Sequence, residues 1–201
     1  RIILVPVFNV FGFINFSREV PDGKDVNRSF PGNKNGSLAS QFAYFMMDEL
    51  IPHIDYGIDF HTGGKQINNY PQVRAMLDDP KNNELAQAFA APFIINSPFR
   101  DKSLRKEAGK LGKSILVYEA GESLKLRKPA IDEGLAGMKR VMKFLEMSDE
   151  APAPKKEPVI IQKSTWTRAS RAGLHYAQAR NGSLVQKGEV KGVISDPYGE
   201  Y

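Results

Sequence analysis

Residues 54–64 read Ile54-Asp55-Tyr56-Gly57-Ile58-Asp59-Phe60-His61-Thr62-Gly63-Gly64. The stretch Ile54–Phe60 has the apolar and aromatic content of a short strand, and the glycine pair after Thr62 ends it. Side chains two apart on a strand share a face, so Asp59 and His61 can point the same way. A histidine leaving a strand into a glycine loop is well placed to bind a metal, with a carboxylate nearby to orient its ring. The competing reading is a core or capping histidine that satisfies a local hydrogen bond, because metal sites need three or four ligands. His53 and His175 lack such a setting and read as structural or exposed.

Outward from that strand the pattern alternates. Further strands are expected at Ile2–Val7, Gln72–Leu77, Pro92–Asn96 and Ser114–Glu119. Helices are expected at Leu38–Leu50, Asn83–Ala91, Ser103–Leu111 and Pro129–Met147. The first follows Ser37 as N-cap, and the last carries Pro129 in its first turn. Such alternation predicts an α/β fold, a sheet flanked by helices, with functional loops at strand ends. Ser148–Pro158 holds three prolines, three acidic residues and two lysines, and reads as a linker after a first domain of residues 1–147. Residues 159–201 then show short β-like runs (Val159–Gln162, Thr165–Arg168, Leu184–Gln186, Val193–Ser195) broken by glycines, a small all-β module of too few residues for a self-standing domain.

Composition narrows the class. The 201 residues are 41% hydrophobic and 25% charged, which excludes a disordered or fibrous chain. The net charge of +5 is spread along the sequence, too weak a footprint for nucleic-acid binding. The absence of cysteine removes disulfides, thiolate nucleophiles and cysteine-based zinc sites together. No apolar run approaches the length of a membrane-spanning helix. The chain opens at Arg1 within a residue of an apolar run, which leads us to expect a piece of a longer protein.

Two more clusters carry chemistry. Arg18 precedes Pro21-Asp22-Gly23-Lys24-Asp25-Val26-Asn27-Arg28-Ser29-Phe30-Pro31-Gly32, where turns at both ends hold Asn27 and Arg28 on a tight loop. An arginine fork matches a carboxylate and asparagine adds a neutral donor, although an arginine paired with Asp22 or Asp25 to brace the loop reads equally well. In Tyr118-Glu119-Ala120-Gly121-Glu122, Glu119 emerges from an apolar strand. That setting raises a carboxylate's pKa and suits it to general acid and base work, with a capping or salt-bridged glutamate as the competing reading. Gln66, Asn68, Asn69 and Tyr70 follow the His61 loop as candidate pocket residues, with a solvated loop as the competing reading.

The three spaced motifs, Asp25-x-Asn27-Arg28-x-Phe30-Pro31-Gly32, Asp59-x-His61-Thr62-Gly63-Gly64 and Glu119-Ala120-Gly121-Glu122, follow an opening Ile2-x-x-Val5-Pro6-Val7-x-Asn9. Together they resemble the succinylglutamate desuccinylase/aspartoacylase family, within the zinc carboxypeptidase-like group, over residues 1–147. The Leu124-Lys125-Leu126 loop and Ser97-Pro98 resemble its prokaryotic branch. The resemblance implies a mixed sheet flanked by helices and hydrolysis of an N-acyl amino acid, of acetyl or succinyl type, by water on one zinc ion. It implies His61 as a zinc ligand, Asn27 and Arg28 as the grip on the substrate carboxylate, and Arg18 as oxyanion stabiliser. Glu119 becomes the catalytic carboxylate and Arg105 a further substrate contact. Small-molecule substrates, a cytoplasmic location and a possible oligomer are also implied.

The family's His-x-x-Glu motif, which supplies two zinc ligands, has no counterpart in this sequence. The resemblance therefore implies a form truncated at both ends and, as it stands, inactive. Gly182-Ser183-Leu184-Val185-Gln186-Lys187-Gly188-Glu189-Val190 resembles half of a lipoyl/biotinyl-like barrel, but Asp196-Pro197-Tyr198-Gly199 offers no lysine where a carrier would hold its cofactor. That implies a structural or gating appendage, a partial barrel-sandwich module. Two other functions fit the same residues: a non-catalytic carboxylate-binding protein with an incomplete metal site, and a zinc carboxypeptidase acting on peptides.

Overall fold

The computed structural model describes residues 1–64 and 67–199. They fall into two compact units, residues 1–162 and residues from 163 onward. The first contains, in order, α1 (Val10–Asn15), α2 (Leu38–Phe45), β1 (Tyr56–Gly63), β2 (Asn69–Ala75), α3 (Pro80–Phe89), β3 (Phe93–Asn96), α4 (Leu104–Lys110), β4 (Ser114–Glu122), α5 (Lys128–Phe144) and β5 (Val159–Ile161). Its strands form one mixed sheet in the order β1-β4-β2-β3-β5. β4 runs parallel to β1 and antiparallel to β2, while β3 is parallel to both β2 and β5.

β4 is the strand on which both faces are built, and eight of its nine residues are buried. Leu116, Tyr118 and Ala120 point into a core closed by Leu85, Ala86 and Phe89 of α3 and Val141 of α5. Ile115 points the other way, into a core with Ala39 and Ala43 of α2, Leu104 and Ala108 of α4, and Val26 and Phe30 of the loop between α1 and α2. Period two then sets Val117 and Glu119 on the Ile115 face. Covering a strand on both sides explains why Ile115–Tyr118 reads as a continuous apolar run rather than an alternation.

Local chemistry sets the helix ends. Asp79 accepts from the Asn82 backbone N–H ahead of Pro80 in α3, and Ser103 caps α4 through the Lys106 N–H. α3 stops at Ala90, which adopts a left-handed conformation. Its last carbonyls are taken by Arg140 of α5, which donates from Nε to Phe89 O at 2.8 Å and from Nη2 to Ala90 O at 3.2 Å. Arg140 also pairs with Glu133, both side chains being 7% exposed. The expected helix Leu38–Leu50 is α2 followed by a wider π-helical turn, Met46–Leu50.

Three expectations are corrected. Ile2–Val7 is not a strand: among the described residues no chain pairs with it, and a strand needs ladder partners for its backbone groups. Val159–Ile161 does not belong to a separate module but adds to the first sheet beside β3, so the stretch 148–158 is a return connection and the first unit extends to Gln162. Thr165–Arg168 and Leu184–Gln186 are irregular. The second unit is visible as a two-stranded antiparallel sheet, β6 (Leu174–Ala177) with β7 (Gly192–Ser195), so the expected β module is seen in part. No helix among the described residues is long and apolar enough to cross a membrane.

Two substitutions test this packing. Arg140→Met leaves the Glu133 carboxylate buried without its partner, and urea unfolding is expected to show a loss of about 3–5 kcal/mol. Gly137 of α5 lies against the fully buried Phe89 ring, and a Cβ there would approach Phe89 Cε1 to 2.2 Å. Overcrowding of about 1–3 kcal/mol opposes the helix-propensity gain of about 1 kcal/mol, so Gly137→Ala should lower the melting temperature.

Candidate active site

The chemistry-bearing side chains gather at the carboxyl ends of β1 and β4, where loops leave the parallel pair. His61 and Glu119 are direct register partners on these strands, and Asp59 is the partner of Val117. Asp59, His61 and Glu119 therefore share a face. Beyond His61 the ladder shifts, pairing Gly63 with Glu122, an irregularity that turns the chain away at the site. Gly63 is required there: a Cβ would lie 1.7 Å from the Ile67 carbonyl oxygen.

His61 Nε2 lies 2.8 Å from Asp59 Oδ2. A carboxylate only accepts, so Nε2 carries the proton and Nδ1 is the nitrogen left to act as a ligand in the neutral ring. Burial disfavours the charged ring, but the hydrogen bond and charge of Asp59, with the charge of Glu119, outweigh it and hold the pKa above the ordinary value. Among the described residues no group of three His, Cys, Asp or Glu side chains could hold a metal ion. His61 backed by Asp59 suits one position of a zinc shell, but these residues do not supply the three protein ligands of a catalytic site.

Glu119 sits in a more polar setting than an apolar strand end suggests. Asn69 Nδ2 donates to its Oε2 at 2.9 Å, and Arg74 Nε lies 3.3 Å from its Oε1. Both partners come from β2, the antiparallel neighbour of β4. Sequence reasoning missed Arg74, although it is the one cation in the expected strand Gln72–Leu77. Asn69 was expected only as a pocket residue; Gln66 lies outside the described residues.

Arg18, Asn27, Asp59 and His61 line one groove of about 990 Å³, between residues 3–9, β1 and the start of α5. Arg18 is the arginine that braces the loop, with Nε 2.8 Å from Asp25 Oδ2. Asn27 Oδ1 accepts the backbone N–H of Leu104 at 3.0 Å, tying the loop to the first turn of α4. Arg28 is exposed and donates to the carbonyl of Asn27. Glu119, Arg28 and Arg105 are not among the residues lining this groove. Arg105 is 8% exposed and turns its donors, at 3.3–3.4 Å, to the carbonyls of Arg74, Ser97 and Pro98 and to Ser97 Oγ. A substrate contact would require exchanging those bonds. Burial, and then the neighbouring Arg74 charge, lower its pKa to about 10. His53 and His175 are exposed.

Comparison with known proteins bears on the family and the fold. The sequence model for the succinylglutamate desuccinylase/aspartoacylase catalytic domain matches residues 1–145. The chain is 28% identical to the N-alpha-acetyl-L-2,4-diaminobutyric acid deacetylase of Halomonas elongata, an alignment covering 98% of this chain and 61% of the relative. The same fold occurs in a crystal structure of a succinylglutamate desuccinylase/aspartoacylase from Rhodobacter sphaeroides (24% identity, 95% of this chain and 62% of that one, TM-score 0.82). It occurs also in the product-bound ectoine utilization protein EutE (DoeB) of Ruegeria pomeroyi (24% identity, 96% and 62%, TM-score 0.83). The chain thus spans less than two thirds of the length of these relatives. With the matching fold, the register that sets His61 beside Glu119 and the family match over residues 1–145, this chain belongs to the succinylglutamate desuccinylase/aspartoacylase family.

Proposed function

We propose that the protein to which this chain belongs is a zinc-dependent deacylase that hydrolyses the amide bond of an N-acyl amino acid, of acetyl or succinyl type. The observation that carries the reading is the juxtaposition of an Asp59-backed His61 with Glu119 across the β1–β4 register, at the edge of a groove that Arg18 and Asn27 also line. The name of the Halomonas elongata relative makes N-α-acetyl-L-2,4-diaminobutyrate the first substrate to try.

In this reading His61 would be one ligand of the zinc, with Asp59 holding its ring; the described residues do not supply the other ligands. Glu119 takes a proton from the attacking water and passes it to the departing amine, which must leave neutral. Arg18 faces the negative charge that develops on the carbonyl oxygen, once its pairing with Asp25 is shared with the substrate. Asn27 and Arg28 hold the substrate carboxylate, Arg28 through a fork that its exposed position leaves accessible. Arg105 braces the ends of β2 and β3.

Zinc content of the full gene-encoded protein, wild type beside His61→Ala, is the direct test. One tightly held zinc, lost in the variant, is expected. A wild type without zinc in metal-replete buffer would overturn the reading and leave a carboxylate-binding protein. Asp59→Asn should keep the stoichiometry at saturating metal but weaken zinc affinity about 10–100-fold, measured by chelator competition. Rates on N-acetyl and N-succinyl amino acids should exceed those on blocked dipeptides; the reverse order would mark a carboxypeptidase.

A further inference from the structure

Two side chains of β2 close on Glu119, and neither belongs to the three motifs that identify the family. Asn69 reaches Oε2 with a well-formed hydrogen bond, and Arg74 approaches Oε1 as a cation. The Arg74 Nε atom is buried and makes no aligned hydrogen bond, so its stabilisation comes from the charge of the carboxylate 3.3 Å away. The backbone dictates this meeting: Gln72 is the register partner of Glu119 and Arg74 that of Val117, so Asn69 and Arg74 reach it from either side along β2. Arg74 is itself held, because its carbonyl accepts from the buried Arg105. The Arg105 and Arg74 charges disfavour each other, with Arg100 adding to the repulsion, and the carboxylates of Asp59 and Glu119 offset part of it.

We propose that Asn69 and Arg74 are positioning residues that grip both oxygens of Glu119 and fix its side chain in the orientation needed for proton transfer. The inference rests on the deacylase reading of Glu119. A carboxylate held by one oxygen can rotate about its terminal torsion, which is broad and soft; a cation beside the second oxygen restrains that rotation. Small misplacements of a proton-transfer group are costly, up to about 100-fold for 1 Å. Neither residue touches the substrate in this scheme, so the effect belongs on turnover rather than on binding.

The test uses the full gene-encoded protein with N-α-acetyl-L-2,4-diaminobutyrate and N-acetyl-L-aspartate as substrates. Asn69→Ala and Arg74→Gln should each lower kcat by about 10-fold or more with KM nearly unchanged, and Arg74→Lys should recover part of the loss. In a Glu119→Gln background the same substitutions should add no further loss, because the group they position is gone. Wild-type kcat in both single variants, or losses that simply multiply with Glu119→Gln, would overturn the proposal while leaving Glu119 as the catalytic group. If Glu119→Gln itself keeps wild-type turnover, the deacylase role of Glu119 fails and the proposal with it. Should Arg74→Gln not fold, Asn69→Ala, at a half-buried position at the start of β2, decides the question alone. A crystal structure supplies a readout free of turnover: Glu119 should leave its wild-type rotamer in Asn69→Ala, and an unchanged rotamer overturns the proposal.

Discussion

The double pairing of β4, parallel to β1 on one side and antiparallel to β2 on the other, is the constraint from which the rest follows. A strand hydrogen-bonded along both edges and covered on both faces cannot slip by one residue without turning every side chain to the wrong core. Leu116, Tyr118 and Ala120 would lose the α3–α5 layer, and Ile115 would lose α2 and α4. Glu119 inherits its place from that lock. It is the first charged residue after four buried apolar ones, and the register sets it opposite His61 and between Asn69 and Arg74.

The site is an electrostatic lattice rather than an isolated pair. Asp59 is bound to His61, Glu119 is held by Asn69 and Arg74, Arg18 is bound to Asp25, and Arg105 stands buried behind Arg74. Each charge has an opposite or a dipole within reach, as partly buried ions must. The surroundings of Glu119 therefore differ from the apolar pocket that its strand alone suggests. Its two oxygens face an amide donor and a cation on a neighbouring strand.

The local signals were legible where the physics is local. The glycine after Asp59-x-His61 marks a real close approach, since the Ile67 carbonyl lies where a Cβ of residue 63 would be. Ser37 stands ahead of α2 and Pro129 in the first turn of α5, as their positions suggest, whereas α3 begins at Pro80, before the expected Asn83, because Asp79 caps it there. The strand Ser114–Glu119 is present and runs on to Glu122. Non-local pairings were not legible. Ile2–Val7 has strand composition but no partner among the described residues, and Val159–Ile161, which looks like the start of a new module, finds its partner in β3 more than sixty residues earlier. Arg18 and Arg28 look interchangeable as loop braces in the sequence; three-dimensional placement gives Asp25 to Arg18 and leaves Arg28 exposed.

The sequence by itself determined the alternating α/β plan, the strand that carries Asp59 and His61 up to its glycines, the family, and the residue types able to do acyl-transfer chemistry. Those depend on periodicity, turn stereochemistry and spaced motifs, all of which are properties of short stretches of chain. Only the tertiary structure decided which side chains meet: that His61 stands beside Glu119, that β2 supplies the grip on the carboxylate, and that Arg105 spends its donors on strand ends. Strand order and register are settled by the burial of whole faces and the closure of backbone ladders across distant segments, and no local pattern encodes that sum.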